Sequence, residues 1–128
     1  MIPTIRMNED TVVVIPCDAA NVRVGDIVLI RKPDTHAGVL LHRLYRIGNG
    51  KIVTLGDNMC QPDREENADM LLGRAVSIAG PGKKIDCESR WRRFQGKLIV
   101  HTCWLRPFIF FVRRAFRYFG RAIWNHRI

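Results

Sequence analysis

The sequence predicts a small, mainly β domain, folded as a barrel-like antiparallel sheet and followed by a basic, helical C-terminal extension. Short β-branched apolar segments recur between turn signals in the first 80 residues. Gly48-Asn49-Gly50 predicts a tight turn between two of them, because Asn and Gly tolerate positive φ. The formal net charge is +9, and residues 83–128 hold 12 Lys and Arg against 2 Asp and Glu. We therefore expect a β domain over residues 1–80 and a basic amphipathic extension over 81–128.

Five segments of the β domain have the composition of strands, being rich in Val, Ile and Leu and bounded by Gly, Pro or Asn. The predicted strands cover residues 11–15, 26–31, 38–47, 51–55 and 70–79. The polar stretch 56–69 between the last two is expected to be a loop. Gly80-Pro81-Gly82 is interpreted as the boundary of the β domain.

The extension has the pattern of an amphipathic helix starting at Pro107. Its apolar residues at helical spacing are Phe108, Phe111, Val112, Ala115, Phe116, Phe119, Ala122 and Ile123. Three interpretations stay open: a membrane interface, packing on the domain or on another subunit, and nucleic-acid binding through charge. The membrane interpretation uses Arg113, Arg114, Arg117, Phe111 and Phe116 against anionic headgroups. Nucleic acid is not expected as a partner, because no groove-reading motif accompanies the charge.

The four cysteines, Cys17, Cys60, Cys87 and Cys103, are widely spaced and form no CxxC pair. We interpret them as free thiols, typical of a reducing compartment, and expect no structural zinc. No signal sequence is recognisable, and no apolar run reaches the roughly 18–20 residues that a membrane-spanning helix needs. These features favour a cytoplasmic or peripheral membrane protein.

Three residues of the β domain could carry chemistry. His42 shares a strand face with Leu40 and Leu44, so it is either a hydrogen-bonded structural histidine or a general base in a partly apolar cleft. Asp57, in Gly-Asp-Asn, and Asp63, after Pro62, have the composition of turn residues. Either carboxylate could instead orient His42, as in Ser-His-Asp systems.

The order of five motifs resembles the type I signal peptidases, a family of serine peptidases. The motifs are Met-x-Pro-Thr-Ile at 1–5, Val-Gly-Asp-Ile-Val at 24–28, His-Arg-Leu at 42–44, Thr-Leu-Gly-Asp-Asn at 54–58 and Leu-Gly-Arg-Ala-Val at 72–76. The subgroup with His in place of Lys is the most similar, and the wider superfamily includes LexA-like self-cleaving repressors. The resemblance covers about residues 1–79. It implies a barrel-like β fold, cleavage of leader or precursor peptides after small residues, and no cofactor.

The resemblance also implies roles for individual residues. His42 matches the general base, and Asp57 and Asp63 match the acidic positions, with Asp63 favoured as the residue that orients His42. The substrate would add as an extended strand beside the site. Small apolar pockets for the residues before the cut would be lined by Met1, Ile2, Leu40 and Leu41.

The sequence departs from the family pattern at the nucleophile, which is the Ser before the Met of Ser-Met-x-Pro and has no counterpart before Met1. Glu9-Asp10 also replaces the usual Gly-Asp, and the N-terminal membrane anchor is missing. The only serines, Ser77 and Ser89, lie outside the motif, and Thr4 is expected to face the other side of its strand.

Two hypotheses follow from this departure. In the first, the natural chain extends upstream to a Ser and is an active endopeptidase. In the second, it begins at Met1 and is a non-catalytic peptide-binding or accessory module. A LexA-like regulator is a weaker third hypothesis, since the chain is too short to include a DNA-binding domain.

Overall fold

The structure is a computed structural model that describes Ile5, residues 8–109, Phe111, Val112 and Arg114. In these residues the chain forms one antiparallel sheet of seven strands, followed by short helices. The strands are β1 Thr11–Pro16, β2 Ile27–Arg31, β3 Val39–Gly48, β4 Lys51–Leu55, β5 Glu66–Asn67, β6 Leu71–Gly80 and β7 Lys83–Asp86. The one α-helix with assigned bounds is α1, Arg90–His101, and 3-10 turns occupy Ala19–Asn21, Ala68–Met70 and Cys103–Leu105.

The mainly β, antiparallel fold class is confirmed, but the sheet is not closed into a barrel. Its strand order is β1-β6-β2-β3-β4-β5, with β7 pairing along β6. Closure would require the two end strands of this order to pair with each other. Instead β1 pairs with β6, and β5 has only two residues, which pair with β4.

All five predicted strands are present, and each predicted end lies within one residue of the observed end. The sequence did not predict β5 or β7. The boundary expected at 80–82 is a turn in which Gly82 has φ +70°, and β7 returns from it along β6. The sheet therefore extends beyond the boundary predicted at residue 80, into residues that the sequence analysis assigned to the basic extension.

Apolar side chains are buried on both faces of β2, because successive residues of a strand point in opposite directions. One cluster contains Val28, Ile30 and Leu44, with further members from neighbouring strands. The other contains Ile27, Ala75 and Ile78. His42 in β3 lies opposite Val28 in β2. It is therefore paired with a strand whose two faces are both packed in apolar clusters.

Helix α1 begins well before Pro107, where the sequence predicted a helix. Its first turn is capped by Ser89, whose hydroxyl accepts a hydrogen bond from the backbone N–H of Arg92. Helical backbone is also present at residues 106–109, while most of the predicted helix over 107–123 lies outside the described residues. Among the described helices, none has the length and apolar character required to span a bilayer.

Candidate active site

His42 and Asp63 meet at the end of the β3–β4 hairpin. The Nδ1 atom of His42 lies 2.6 Å from Oδ2 of Asp63. The two residues are 21 positions apart in sequence and are joined because the 56–63 loop folds back onto β4. A carboxylate at Nδ1 favours the neutral tautomer that carries its proton there, which leaves Nε2 as a proton acceptor.

Thr54 in β4 fixes the position of Asp63 through two hydrogen bonds. Its backbone carbonyl accepts from the Asp63 N–H at 2.7 Å, and its buried hydroxyl donates to Asp63 Oδ2 at 2.6 Å. The same carboxylate oxygen therefore receives both His42 and Thr54. Two charge-assisted hydrogen bonds hold this oxygen in one place and so restrict the orientation of the imidazole.

The Nε2 side of His42 lies against Gly56. A Cβ atom added to Gly56 would be 3.3 Å from His42 Nε2 and 2.8 Å from Cγ of Met59. The absence of a side chain at Gly56 thus leaves space beside the nitrogen that would accept a proton. The His42 side chain is 25% exposed, so the imidazole is supported by protein and is also reachable from solvent.

Asp57 forms an ion pair with Arg43, whereas the carboxylate observed at His42 is that of Asp63. The guanidinium Nε and NH2 atoms of Arg43 donate to the two carboxylate oxygens at 2.7 and 2.8 Å. Arg43 also donates from NH1 to the carbonyl of Gly25 at 2.7 Å. Because Arg43 follows His42 in β3, its side chain lies on the opposite face of the sheet. The two acidic residues named from the sequence therefore have different partners.

Helix α1 packs closely against the Arg43 guanidinium and the Gly25 backbone. A Cβ atom on Gly96 would lie 2.3 Å from the Gly25 carbonyl oxygen and 2.9 Å from Arg43 NH1. Gly25 itself has φ +97°, in the left-handed region that favours glycine. The two glycines thus let the helix approach the backbone that accepts the Arg43 hydrogen bond.

Arg106 holds the loop that carries Gly56 and Asp57. It is only 6% exposed, and its guanidinium donates to the backbone carbonyls of Gly56, Met59 and Ile99. Sequence reasoning missed this residue, as it missed the roles of Thr54, Arg43 and Gly96. A charged residue inside the apolar run 98–112 was the one signal that pointed to Arg106.

The four residues expected to line substrate pockets are only partly described. Leu40 packs against the cluster that contains Leu44, whereas Leu41 packs against the cluster that contains Ala75. The structure thus places these two side chains on opposite faces of β3. Met1 and Ile2 lie outside the described residues. Ile5 packs against the same cluster as Leu41, on the face of β3 opposite to His42.

Of the residues expected at a membrane surface, Phe111 and Arg114 are described and both are exposed. Arg113, Arg117 and Phe116 lie outside the described residues. The cysteines are free thiols in the structure. Burial raises the pKa of the Cys17 and Cys87 thiols above the ordinary value. In the described part of the chain, no three His, Cys, Asp or Glu side chains are grouped so as to hold a metal ion.

Comparisons of the chain with models of protein families, with curated proteins and with solved structures give no match. The geometry of the site and the order of the sequence motifs are therefore the two sources from which a function is inferred.

Proposed function

We propose that this chain is the catalytic domain of a serine endopeptidase similar to type I signal peptidases, with His42 as general base and Asp63 as the residue that orients it. The observation that carries the proposal is the 2.6 Å contact between His42 Nδ1 and Asp63 Oδ2. It leaves Nε2 as the proton acceptor, on the side of the ring where Gly56 leaves space.

The proposed reaction needs a hydroxyl nucleophile, which the resemblance assigns to a Ser directly before Met1. Its oxygen attacks the peptide carbonyl while its proton passes to His42 Nε2. Asp63 stabilises the imidazolium that results. The tetrahedral intermediate collapses as His42 returns the proton to the leaving amine, and water then hydrolyses the acyl-enzyme by the same route.

The nearby contacts support this assignment of roles. A general base must keep one orientation. The hydrogen bond from Thr54 to Asp63 fixes the carboxylate that contacts the His42 imidazole. The substrates proposed are leader or precursor peptides with small residues before the cut, as the resemblance implies.

A protein that carries a short linker ending in Ser before Met1 tests the proposal. Its matched control has Ala in place of that Ser, and a second control combines the Ser with His42→Ala. Cleavage of leader peptides is followed by mass spectrometry. We expect cleavage by the Ser form alone, with a loss on the order of 10⁴-fold or more in both controls.

Two results would contradict the proposal. Equal cleavage by the Ser and Ala forms would exclude the Ser as nucleophile. Peptide binding without cleavage by the Ser form would favour the second candidate, a non-catalytic peptide-binding module that uses the same cleft.

A further inference from the structure

Helix α1 presents an apolar face to solvent. Trp91, Phe94 and Leu98 follow one another at i, i+3 and i+7, which places them on one side of the helix. Gly96 and Val100, on the other side, are buried against the sheet domain. Trp91 is 63% exposed and Leu98 is 51% exposed, so these apolar side chains face solvent.

Two side chains of this face are stacked, and further exposed aromatic residues follow α1 in the chain. The rings of Trp91 and Phe94 are stacked with their centroids 5.8 Å apart. Further along the chain, Trp104, Phe108 and Phe111 are each at least as exposed as Trp91. Scattered exposed apolar residues are ordinary, but a contiguous aromatic set on one helix indicates an interaction surface.

Basic side chains flank the apolar face, which we call the α1 face and define as Trp91, Phe94 and Leu98. Arg90 and Lys97 are exposed at positions next to Phe94 on the helix surface. Arg93 lies beside Phe94 as well, in a depression that Arg23 and the acidic Asp26 also line. Residues 83–128 contain only two acidic residues, and one of them, Glu88, is paired with Arg74. Basic residues therefore outnumber acidic ones around the α1 face.

We propose that the α1 face docks the protein onto an anionic lipid surface. Trp and Phe rings are suited to the boundary between headgroups and acyl chains, and flanking Arg and Lys side chains are attracted to anionic headgroups. The complementary charge favours lipid over a second copy of this chain, since two such positive surfaces repel each other. The inference does not depend on the peptidase function, because it uses no residue of the His42 site.

Co-sedimentation of the full chain with vesicles tests the proposal. The probes are vesicles of phosphatidylcholine alone and vesicles that also contain phosphatidylglycerol, at low and at high salt. We expect binding to the anionic vesicles, weakened by salt. The variant W91S/F94S/L98S should lower the partition coefficient on the order of 100-fold. The matched control V13S/I15S/V39S, which removes other exposed apolar side chains, should bind like the unmodified protein.

A second pair of variants tests the charge. R90Q/K97Q should weaken binding to anionic vesicles on the order of 20-fold, while R31Q/K84Q, at exposed positions outside α1, should have a smaller effect. Circular dichroism checks that every variant is folded.

Three results would overturn the proposal. Unchanged vesicle binding by W91S/F94S/L98S would assign the binding to another part of the chain. No binding to anionic vesicles at low salt would exclude lipid. A dimer that forms without vesicles and is lost in W91S/F94S/L98S, in a protein that binds no vesicles, would identify the α1 face as an interface between two copies.

Discussion

Arg43 and Asp57 form a two-point ion pair directly behind the candidate site, with nitrogen–oxygen distances of 2.7 and 2.8 Å. Arg43 follows His42 in β3, and Asp57 follows Gly56, which lies against the imidazole. The pair therefore joins the two backbone segments whose separation sets the space around His42 Nε2. We expect the pair to fix the position of the loop that carries Gly56 relative to β3.

Removing Asp57 should destabilise the fold, because Arg43 would stay buried without its carboxylate. We expect Asp57→Ala to lower the free energy of unfolding by about 2–4 kcal/mol. Glu65→Ala is the matched control, since the Arg46–Glu65 pair is exposed on both sides and should contribute less than about 1 kcal/mol. Urea denaturation measures both. Equal losses in the two variants would contradict a structural role for the Arg43–Asp57 pair.

Replacing Asp63 should change the tautomer population of the His42 imidazole. In the unmodified protein we expect the proton on Nδ1, where Asp63 accepts it. Asp63→Asn should raise the population with the proton on Nε2, which long-range ¹H–¹⁵N spectra of the imidazole report directly. In a protein that carries the Ser before Met1, the same change should lower peptide cleavage about 10³–10⁴-fold, as loss of the orienting carboxylate does in Ser-His-Asp enzymes.

The control for this prediction is Asp34→Asn, which changes an exposed acid in another loop. It should leave the His42 nitrogen shifts and the cleavage rate unchanged. An Asp63→Asn protein with the same nitrogen shifts as the unmodified protein would show that Asp63 does not set the tautomer.

The contrast between Asp57 and Asp63 shows what sequence can predict here. Their residue types made both of them candidates, the family resemblance favoured Asp63, and the strand pattern placed His42 in β3. Which carboxylate reaches His42 depends on the path of the 56–63 loop. That path is set by the backbone hydrogen bond of Asp63 to Thr54, which has no sequence signature, and by the guanidinium of Arg106, whose charge inside an apolar run is a weak one. Segments rich in Val, Ile and Leu between turn signals predicted β1 to β4 and β6. The same pattern missed β7, whose two lysines give it the composition of a surface loop.

Adding a methyl group at Gly96 should destabilise the protein, although Ala is the better helix former by about 1 kcal/mol. The new Cβ would lie 2.3 Å from the Gly25 carbonyl oxygen, so α1 would have to move away from the sheet. We expect Gly96→Ala to lower the free energy of unfolding by about 1–3 kcal/mol. The control is Gly48→Ala, where no heavy atom lies within 4 Å of the added Cβ. A gain in stability for Gly96→Ala would contradict the close approach of α1 to Gly25.

The Cys87 thiol should react slowly with alkylating reagents near neutral pH. Burial raises the pKa of Cys87, so a smaller fraction is thiolate at a given pH than in a free thiol. We expect its alkylation rate with iodoacetamide, followed by peptide mass spectrometry, to keep rising with pH beyond the point where a small-molecule thiol levels off. The difference should disappear in denaturing urea. A plateau at the same pH in folded and unfolded protein would contradict the predicted shift.

Replacing Arg106 should loosen the loop beside His42 more than it destabilises the whole fold. Arg106→Met keeps the length of the side chain but removes the donors to the carbonyls of Gly56 and Met59. We expect a loss of about 1–3 kcal/mol in the free energy of unfolding, since these carbonyls lose partners in a buried setting. Amide hydrogen exchange should increase most at Met59 and Asp63, whose N–H groups donate within and at the end of this loop.

The matched control for Arg106 is Arg92→Met, because Arg92 is exposed and its observed side-chain hydrogen bond goes to Gln95 in the same helix. It should leave exchange in the 56–63 loop unchanged. If Arg106→Met instead raised exchange equally in β2, β3 and β6, the residue would stabilise the fold as a whole. A local increase confined to the loop would mean that the C-terminal segment positions Gly56, and with it the space at His42 Nε2, through one buried guanidinium.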